Sequence, residues 1–270
     1  MKLAFLIRLL FSKIFFFLDR LFFQYQKSFV VLCYHSFAKS KNRYAVDLRQ
    51  FELQIKKITK FAKFISVDDM SLTEQKLYKK FNTNAKVLLT IDDGLESVMD
   101  ILPITKKYNI PVLLFVLADS ENANRSELET EENFLSLQQI KLLDKKGWTI
   151  GCHSTTHADF SNLTELELKN EIVASKKILE SKIGHRVDHF AYPKGFYSDK
   201  IVNAVKNAGY KYGFTIEAGT FFDKKNNFEI PRTIIDATHK IIEIPEITTP
   251  LWLKFRNLTN RFKLWERFMK

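Results

Sequence analysis

Residues 87–94 read Val-Leu-Leu-Thr-Ile-Asp-Asp-Gly. An unbroken apolar and β-branched run of this length suits a strand covered on both faces, as in a parallel sheet. The run stops at two adjacent carboxylates, Asp92 and Asp93, and a glycine turn at Gly94. Like charges held side by side at a strand end repel, and a bound cation relieves the repulsion. A plain acidic turn would look the same in isolation, so the reading depends on what the neighbouring strands carry.

Similar runs recur at 29–33, 63–67, 112–117, 149–152, 189–191, 212–215 and 229–234. Helical patterns lie between them at 47–61, 98–108, 136–146, 164–183 and 198–208, punctuated by Pro103, Pro111, Gly147 and Gly209. Strands alternating with helices predict βαβ units and a parallel sheet. So many units in about 220 residues predict a barrel-like α/β fold. Neither an internal repeat nor a linker divides residues 28–250.

Three more strand ends carry chemistry. The run 149–152 leads into His153-Ser154-Thr155-Thr156-His157. Two imidazoles four residues apart can face one ion, although this spacing alone is a weak signal. Joined to the Asp pair, they make a carboxylate-and-two-imidazole donor set suited to Zn²⁺ or another first-row divalent ion. The second carboxylate is then free to act as a general base. Residues 190–197, Phe-Ala-Tyr-Pro-Lys-Gly-Phe-Tyr, end another strand in a Pro/Gly turn. Their aromatics suit either a sugar face or simple packing. The strand at 29–33 leads to His35, a position where a lone histidine is more often structural. His185, His189 and His239 have no comparable setting.

The chain has 270 residues, 46% hydrophobic and 27% charged, a globular composition that excludes disordered and collagen-like classes. Its two cysteines, Cys33 and Cys152, exclude a disulfide scaffold and read as buried free thiols. The net charge of +11 suggests an acidic partner, but its location matters. Residues 1–27 hold +4 and residues 251–270 hold +5, leaving +2 for the middle. No nucleic-acid motif accompanies the charge, so no nucleic-acid partner is expected.

In residues 1–27 the polar positions Lys2, Arg8, Ser12, Lys13, Asp19 and Arg20 fall within an arc of roughly 140° on a helical wheel, against Leu, Ile and Phe elsewhere. This predicts a helix lying in an anionic membrane surface. A helix packed on the core and an atypical span or anchor are the alternatives. The charges interrupt any signal-peptide core, and no small-residue cleavage site follows. In residues 251–270, Leu251, Phe255, Leu258, Phe262, Trp265 and Met269 share one face of a basic amphipathic helix, which suits the same membrane surface, with a dimerising or core-docking helix as the alternative.

The motifs Thr90-Ile91-Asp92-Asp93-Gly94, His153-Ser154-x-x-His157 and Tyr192-Pro193-x-Gly195, in this order, resemble those of the polysaccharide deacetylases of carbohydrate esterase family 4, the NodB-homology domain. The resemblance covers residues 28–240. It implies a distorted (β/α) barrel for 28–250, flanked by the amphipathic segments 1–27 and 251–270. It implies Asp92 as catalytic base and Asp93, His153 and His157 as ligands of a divalent metal, with zinc first and Co, Ni or Mn as alternatives. It also implies Tyr192, Pro193, Lys194 and Gly195 around the substrate and its oxyanion.

The chain departs from the usual pattern twice. Ala191 stands where the family has an arginine that orients the base, and Arg232 is the candidate to replace it. The Leu-x-x-His motif is absent near the C-terminus and appears instead as Leu32-Cys33-Tyr34-His35. That order resembles the permuted branch acting on poly-N-acetylglucosamine-type polysaccharides, and it makes His35 the expected general acid. The implied function is removal of N-acetyl groups from an amino sugar in a polysaccharide or lipid-linked glycan, at a membrane. An O-acetyl esterase, or a catalytically silent glycan-binding relative, is the alternative. The basic ends place the protein at the cytoplasmic face of the inner membrane, or anchored on the outer side by its N-terminal segment.

Overall fold

The computed structural model describes residues 2–22, 28–39, 42–72, 74–81, 85–128 and 130–261. The expected helix face at Phe262, Trp265 and Met269 lies outside the described residues. The strands are β1 (Phe29–Tyr34), β2 (Ala62–Phe64), β3 (Ala85–Ile91), β4 (Val112–Val116), β5 (Thr149–Cys152), β6 (His189–Ala191), β7 (Tyr212–Phe214) and β8 (Thr233–Ile234). The α-helices are α1 (Lys2–Leu21), α2 (Leu48–Ile58), α3 (Glu74–Phe81), α4 (Leu102–Lys107), α5 (Arg125–Leu128), α6 (Leu137–Lys145), α7 (Glu165–Lys169), α8 (Ser175–Ile183), α9 (Asp199–Asn207) and α10 (Pro250–Arg261).

All strand pairs are parallel, in the order β7-β6-β5-β4-β3-β1-β8, with β2 also on β3. β1 and β3 are buried along their whole length, as the apolar runs require of strands covered on both faces. The two side-chain parities feed two cores. Val30, Leu32, Val87 and Leu89 pack under the helices, whereas Phe29, Val31, Leu88 and Phe115 fill the inside of the curled sheet.

The curl closes through residues 227–234. Ile230 N–H donates to Gly213 and Thr215 N–H donates to Ile230, binding this segment to β7. Three residues later Thr233 and Ile234 pair with β1. The expected strand over 229–234 is thus a short bridge that hydrogen-bonds to both edges, and Arg232 sits at its centre.

The helices follow local signals. Asp47 accepts the N–H groups of Arg49 and Gln50 at the start of α2, and capping boxes at Ser136 and Thr164 open α6 and α7. Two expected helices differ. Residues 98–108 form a 3₁₀ turn followed by α4, with Pro103 in the first turn of α4. Residues 164–183 form α7, a π-helical segment Asn170–Ala174, and α8.

At the chain ends, α1 packs on α10 through Phe11 and Phe15 against Phe255, and Phe15 against Trp252. Trp252 and Leu253 enter the core, so this part of the C-terminal segment docks on the domain. No helix among the described residues is long and apolar enough to cross a membrane.

Candidate active site

Parallel strands bring all their C-terminal ends to one rim, where α/β barrels build their sites. The register Tyr34↔Ile91 places His35 beside Asp92. The register Val116↔Cys152 brings His153 to the same rim, where its N–H donates to the Val116 carbonyl.

Asp92 keeps the inward parity of Leu88 and Thr90 and meets the buried Arg232 in a two-pronged pair. Nη1 donates to Oδ1 at 2.6 Å and Nη2 to Oδ2 at 2.8 Å. Arg232 also donates from Nε to the Thr215 carbonyl at 2.9 Å, and its guanidinium lies 5.3 Å from the centre of the Phe115 ring. Burial opposes ionisation of Asp92, but Arg232, together with His153 and His35, outweighs it and holds the carboxyl well below the usual range. Arg232, the candidate for the orienting group, is thus in direct contact with Asp92.

Asp93 would point to the opposite side by strand parity. A left-handed backbone, φ 70°, turns it inward instead. Its Oδ1 lies 3.4 Å from His153 Nε2 and 3.8 Å from His157 Nε2. That oxygen is buried without a hydrogen-bond partner among the described residues, as is His157 Nδ1. The ligand atoms of Asp93, His153 and His157 all lie within 4.8 Å of one another. His153 Nδ1–H donates to the Ala191 carbonyl at 2.9 Å, which leaves the Nε2 lone pair facing the centre. An orphaned carboxylate oxygen facing two imidazole Nε2 atoms fits a divalent cation with open positions.

Burial pushes the His157 imidazole down to about 4, with His153 adding to the effect. His153 moves the other way: burial lowers it, but Asp92 and Asp93 together raise it above its ordinary value.

The loop between the histidines is strained and braced. Ser154 (φ 69°) and His157 (φ 62°) are left-handed, and Ser154 Oγ accepts the His157 N–H at 3.0 Å. Glu171 accepts the N–H groups of Thr155 and Thr156 at 3.0 Å each and the Thr156 hydroxyl at 2.7 Å. Glu171 lies in the π-helical segment. Among the described residues, four of the five non-glycine residues with positive φ, namely Asp93, Ser154, His157 and Lys194, are at this rim. Strain of this kind persists where the surroundings enforce it, commonly at functional sites.

His35 packs on Tyr44 with ring centres 4.8 Å apart, and its Nδ1 has no hydrogen-bond partner among the described residues. Cys33, His35 and Asp92 form a second close set, with ligand atoms within 4.8 Å of one another. Both cysteines are free and buried, as expected. Glu132 fixes the chain beside His35 by accepting the Ser36 hydroxyl at 2.6 Å and the Ser97 N–H at 2.8 Å.

In the Tyr192–Gly195 turn, Gly195 N–H donates to the Tyr192 carbonyl at 2.8 Å, and Lys194 (φ 53°) and Gly195 (φ 70°) are both left-handed. A Cβ on Gly195 would lie 2.2 Å from the Ile216 side chain, so the turn requires glycine. Of the two readings of the aromatics in this turn, a sugar face or simple packing, Tyr192 takes packing. Its ring is wholly buried and its hydroxyl donates to the Phe228 carbonyl at 2.9 Å. Only its backbone belongs to the turn, while Phe196 is the exposed aromatic there. Lys194 pairs with Glu127. Glu171 and Glu132 gave no signal in the sequence, because neither is near a motif along the chain.

Comparison with known proteins agrees with this geometry. The family model for polysaccharide deacetylases matches residues 79–213. The Bacillus subtilis protein YxkH is 25% identical over 190 residues, 70% of this chain and 64% of that one, so the match spans less than two thirds of YxkH. The poly-beta-1,6-N-acetyl-D-glucosamine N-deacetylase of Staphylococcus aureus (strain N315) is 28% identical over 222 residues, covering 78% of this chain and 75% of that protein. Among solved structures, the Streptococcus pyogenes deacetylase PplD superposes with a TM-score of 0.67 at 22% identity, covering 83% of this chain and 99% of PplD. IcaB from Ammonifex degensii gives 0.64 at 24% identity, covering 84% and 97%. These two carry the fold, a curled parallel sheet of the (β/α) barrel type. With half its length matched by the family model, the chain belongs to the polysaccharide deacetylase family.

Proposed function

We propose that the protein is a metal-dependent carbohydrate N-deacetylase that hydrolyses acetamide groups of an N-acetylated amino-sugar polymer. The observation that carries this reading is the buried, unpartnered Asp93 Oδ1 facing two imidazoles, next to a second carboxylate clamped by arginine. The likeness to the Staphylococcus aureus poly-beta-1,6-N-acetyl-D-glucosamine N-deacetylase supports a poly-N-acetylglucosamine substrate.

Asp93, His153 and His157 would hold the ion, with zinc as the first candidate for this donor set. When bound, such an ion supplies Lewis acidity at the acetyl carbonyl and makes water more acidic. Asp92, oriented by Arg232, takes the proton of the attacking water. The water oxygen forms the new bond to the carbonyl carbon. A backbone N–H near Lys194, in the left-handed part of the turn, donates to the developing oxyanion. His35 delivers a proton to the sugar nitrogen as the carbon–nitrogen bond breaks, leaving acetate and a free amine. His35 is suited to this task because it lies beside Asp92 at the strand end, across the β1–β3 register.

The test is acetate release from N-acetylated β-1,6-glucosamine oligomers, before and after chelation and with Zn²⁺, Co²⁺, Ni²⁺ or Mn²⁺ restored. Restoration of activity by one of these ions is expected. Activity unaffected by thorough chelation would contradict the reading.

A further inference from the structure

Helix α1 is docked inside out. The middle of its polar arc faces the domain: Ser12 and Asp19 are almost fully buried, and Asp19 Oδ2 accepts the Leu251 N–H at 3.0 Å at the start of α10. Lys13 pairs with the buried Glu246. Its apolar side faces away, with Leu6, Leu10, Ile14, Phe17 and Leu21 between 45% and 66% exposed. These five follow i, i+4, i+8, i+11 and i+15, one continuous stripe about 22 Å long at the usual helical rise. Phe11 and Phe22 widen it on one side. Soluble monomers rarely expose a contiguous apolar patch of this kind unless something binds there.

We infer that this stripe is a membrane-binding face, on which α1 lies in the plane of an anionic lipid surface while its polar joint to α10 holds the domain against it. Charge selects the occupant. Residues 1–27 carry +4 and residues 251–270 carry +5 in an otherwise nearly neutral chain. Arg20, on the flank of the stripe, is exposed and stacks over Phe16. A cationic flank beside an apolar stripe complements anionic headgroups over acyl chains. A second copy seated on the same stripe would bring two such basic flanks together. The fixed joint makes α1 a platform rather than a tether, so the domain keeps one orientation on the surface. This inference is independent of the catalytic reading.

The test uses the full chain with vesicles of phosphatidylcholine alone or containing one quarter phosphatidylglycerol, alongside light scattering without lipid. A monomer that sediments with the anionic vesicles, and less with neutral ones or at high salt, is expected. Leu10→Glu/Phe17→Glu should weaken that binding about tenfold or more, while acetate release from a short soluble oligomer is unchanged. Leu10→Ser/Phe17→Ser, which adds no charge, should weaken it less. Failure of the wild type to bind either vesicle would overturn the inference. So would a wild-type dimer that the double substitution splits. A wild type that binds the anionic vesicles but releases no acetate would count only against the catalytic reading.

Discussion

Arg232 reaches Asp92 across 140 residues of chain with two parallel hydrogen bonds of 2.6 and 2.8 Å. The pair is buried and lies inside the barrel, where the segment joining β7 to β1 closes the sheet. Closing the fold and orienting the candidate base are thus done by the same short stretch. Removing one partner of a buried ion pair leaves a bare charge, which typically costs about 3–5 kcal/mol.

Arg232→Lys keeps the charge but loses the fork. Acetate release should fall by about 10²-fold or more as Asp92 loses its orientation. Asp92 is an acid with a lowered folded pKa, so its pairing stabilises the fold above the unfolded value of about 3.9 and fades as pH falls through the folded value. Loosening the pair raises the folded pKa. The acid limb of kcat/KM and the acid-unfolding midpoint should both move to higher pH, as a pH–rate profile and circular dichroism would record.

Glu171 braces the loop between the histidines with three hydrogen bonds. Glu171→Gln keeps one amide oxygen as an acceptor but loses the charge. Metal affinity should drop by about 10–100-fold, as for other groups that orient ligands. Chelator competition measures this, and unchanged affinity with lowered thermal stability would make Glu171 purely structural.

His35→Ala should lower kcat by about 10²–10⁴-fold, the usual contribution of an acid–base group. The bound ion should remain, because His35 is outside the Asp93–His153–His157 set. Metal analysis beside single-turnover kinetics separates the two effects, and loss of the ion would move His35 into the ligand set.

Metal affinity should weaken with acidity in a defined order. His153 is raised above its ordinary value, so its proton competes with the ion first; His157, near 4, competes only in strong acid. As pH falls through the range in which His153 takes up its proton, the dissociation constant should rise, approaching about one log unit per pH unit, one proton per ion. Isothermal titration at several pH values would reveal a steeper slope if both histidines took up protons together.

The sequence disclosed the strands whose ends carry the chemistry because each is a short apolar run with an abrupt polar stop. It disclosed Asp92, Asp93, His153 and His157 because each motif is local. Barrel closure was less legible: only Thr233 and Ile234 are regular strand, and Ile230 bridges to Phe214 in isolation. The direction of the Tyr192 ring was not legible, because a Tyr-Pro turn at a rim says nothing about which way the ring packs, and here the hydroxyl donates inward to the Phe228 carbonyl. Glu171 was invisible because it acts from a π-helical segment on residues 15 and 16 positions earlier. On α1, the wheel separated polar from apolar sides correctly but could not tell that Ser12 and Asp19 would meet protein rather than water.

The division of labour between the adjacent carboxylates is the account's central claim, and Asp92→Asn tests it most directly. The variant should still bind one divalent ion per chain, since Asp93, His153 and His157 are intact, yet release no acetate from an N-acetylated β-1,6-glucosamine oligomer. Acetate release at the wild-type rate, or loss of the ion on this substitution, would contradict the account.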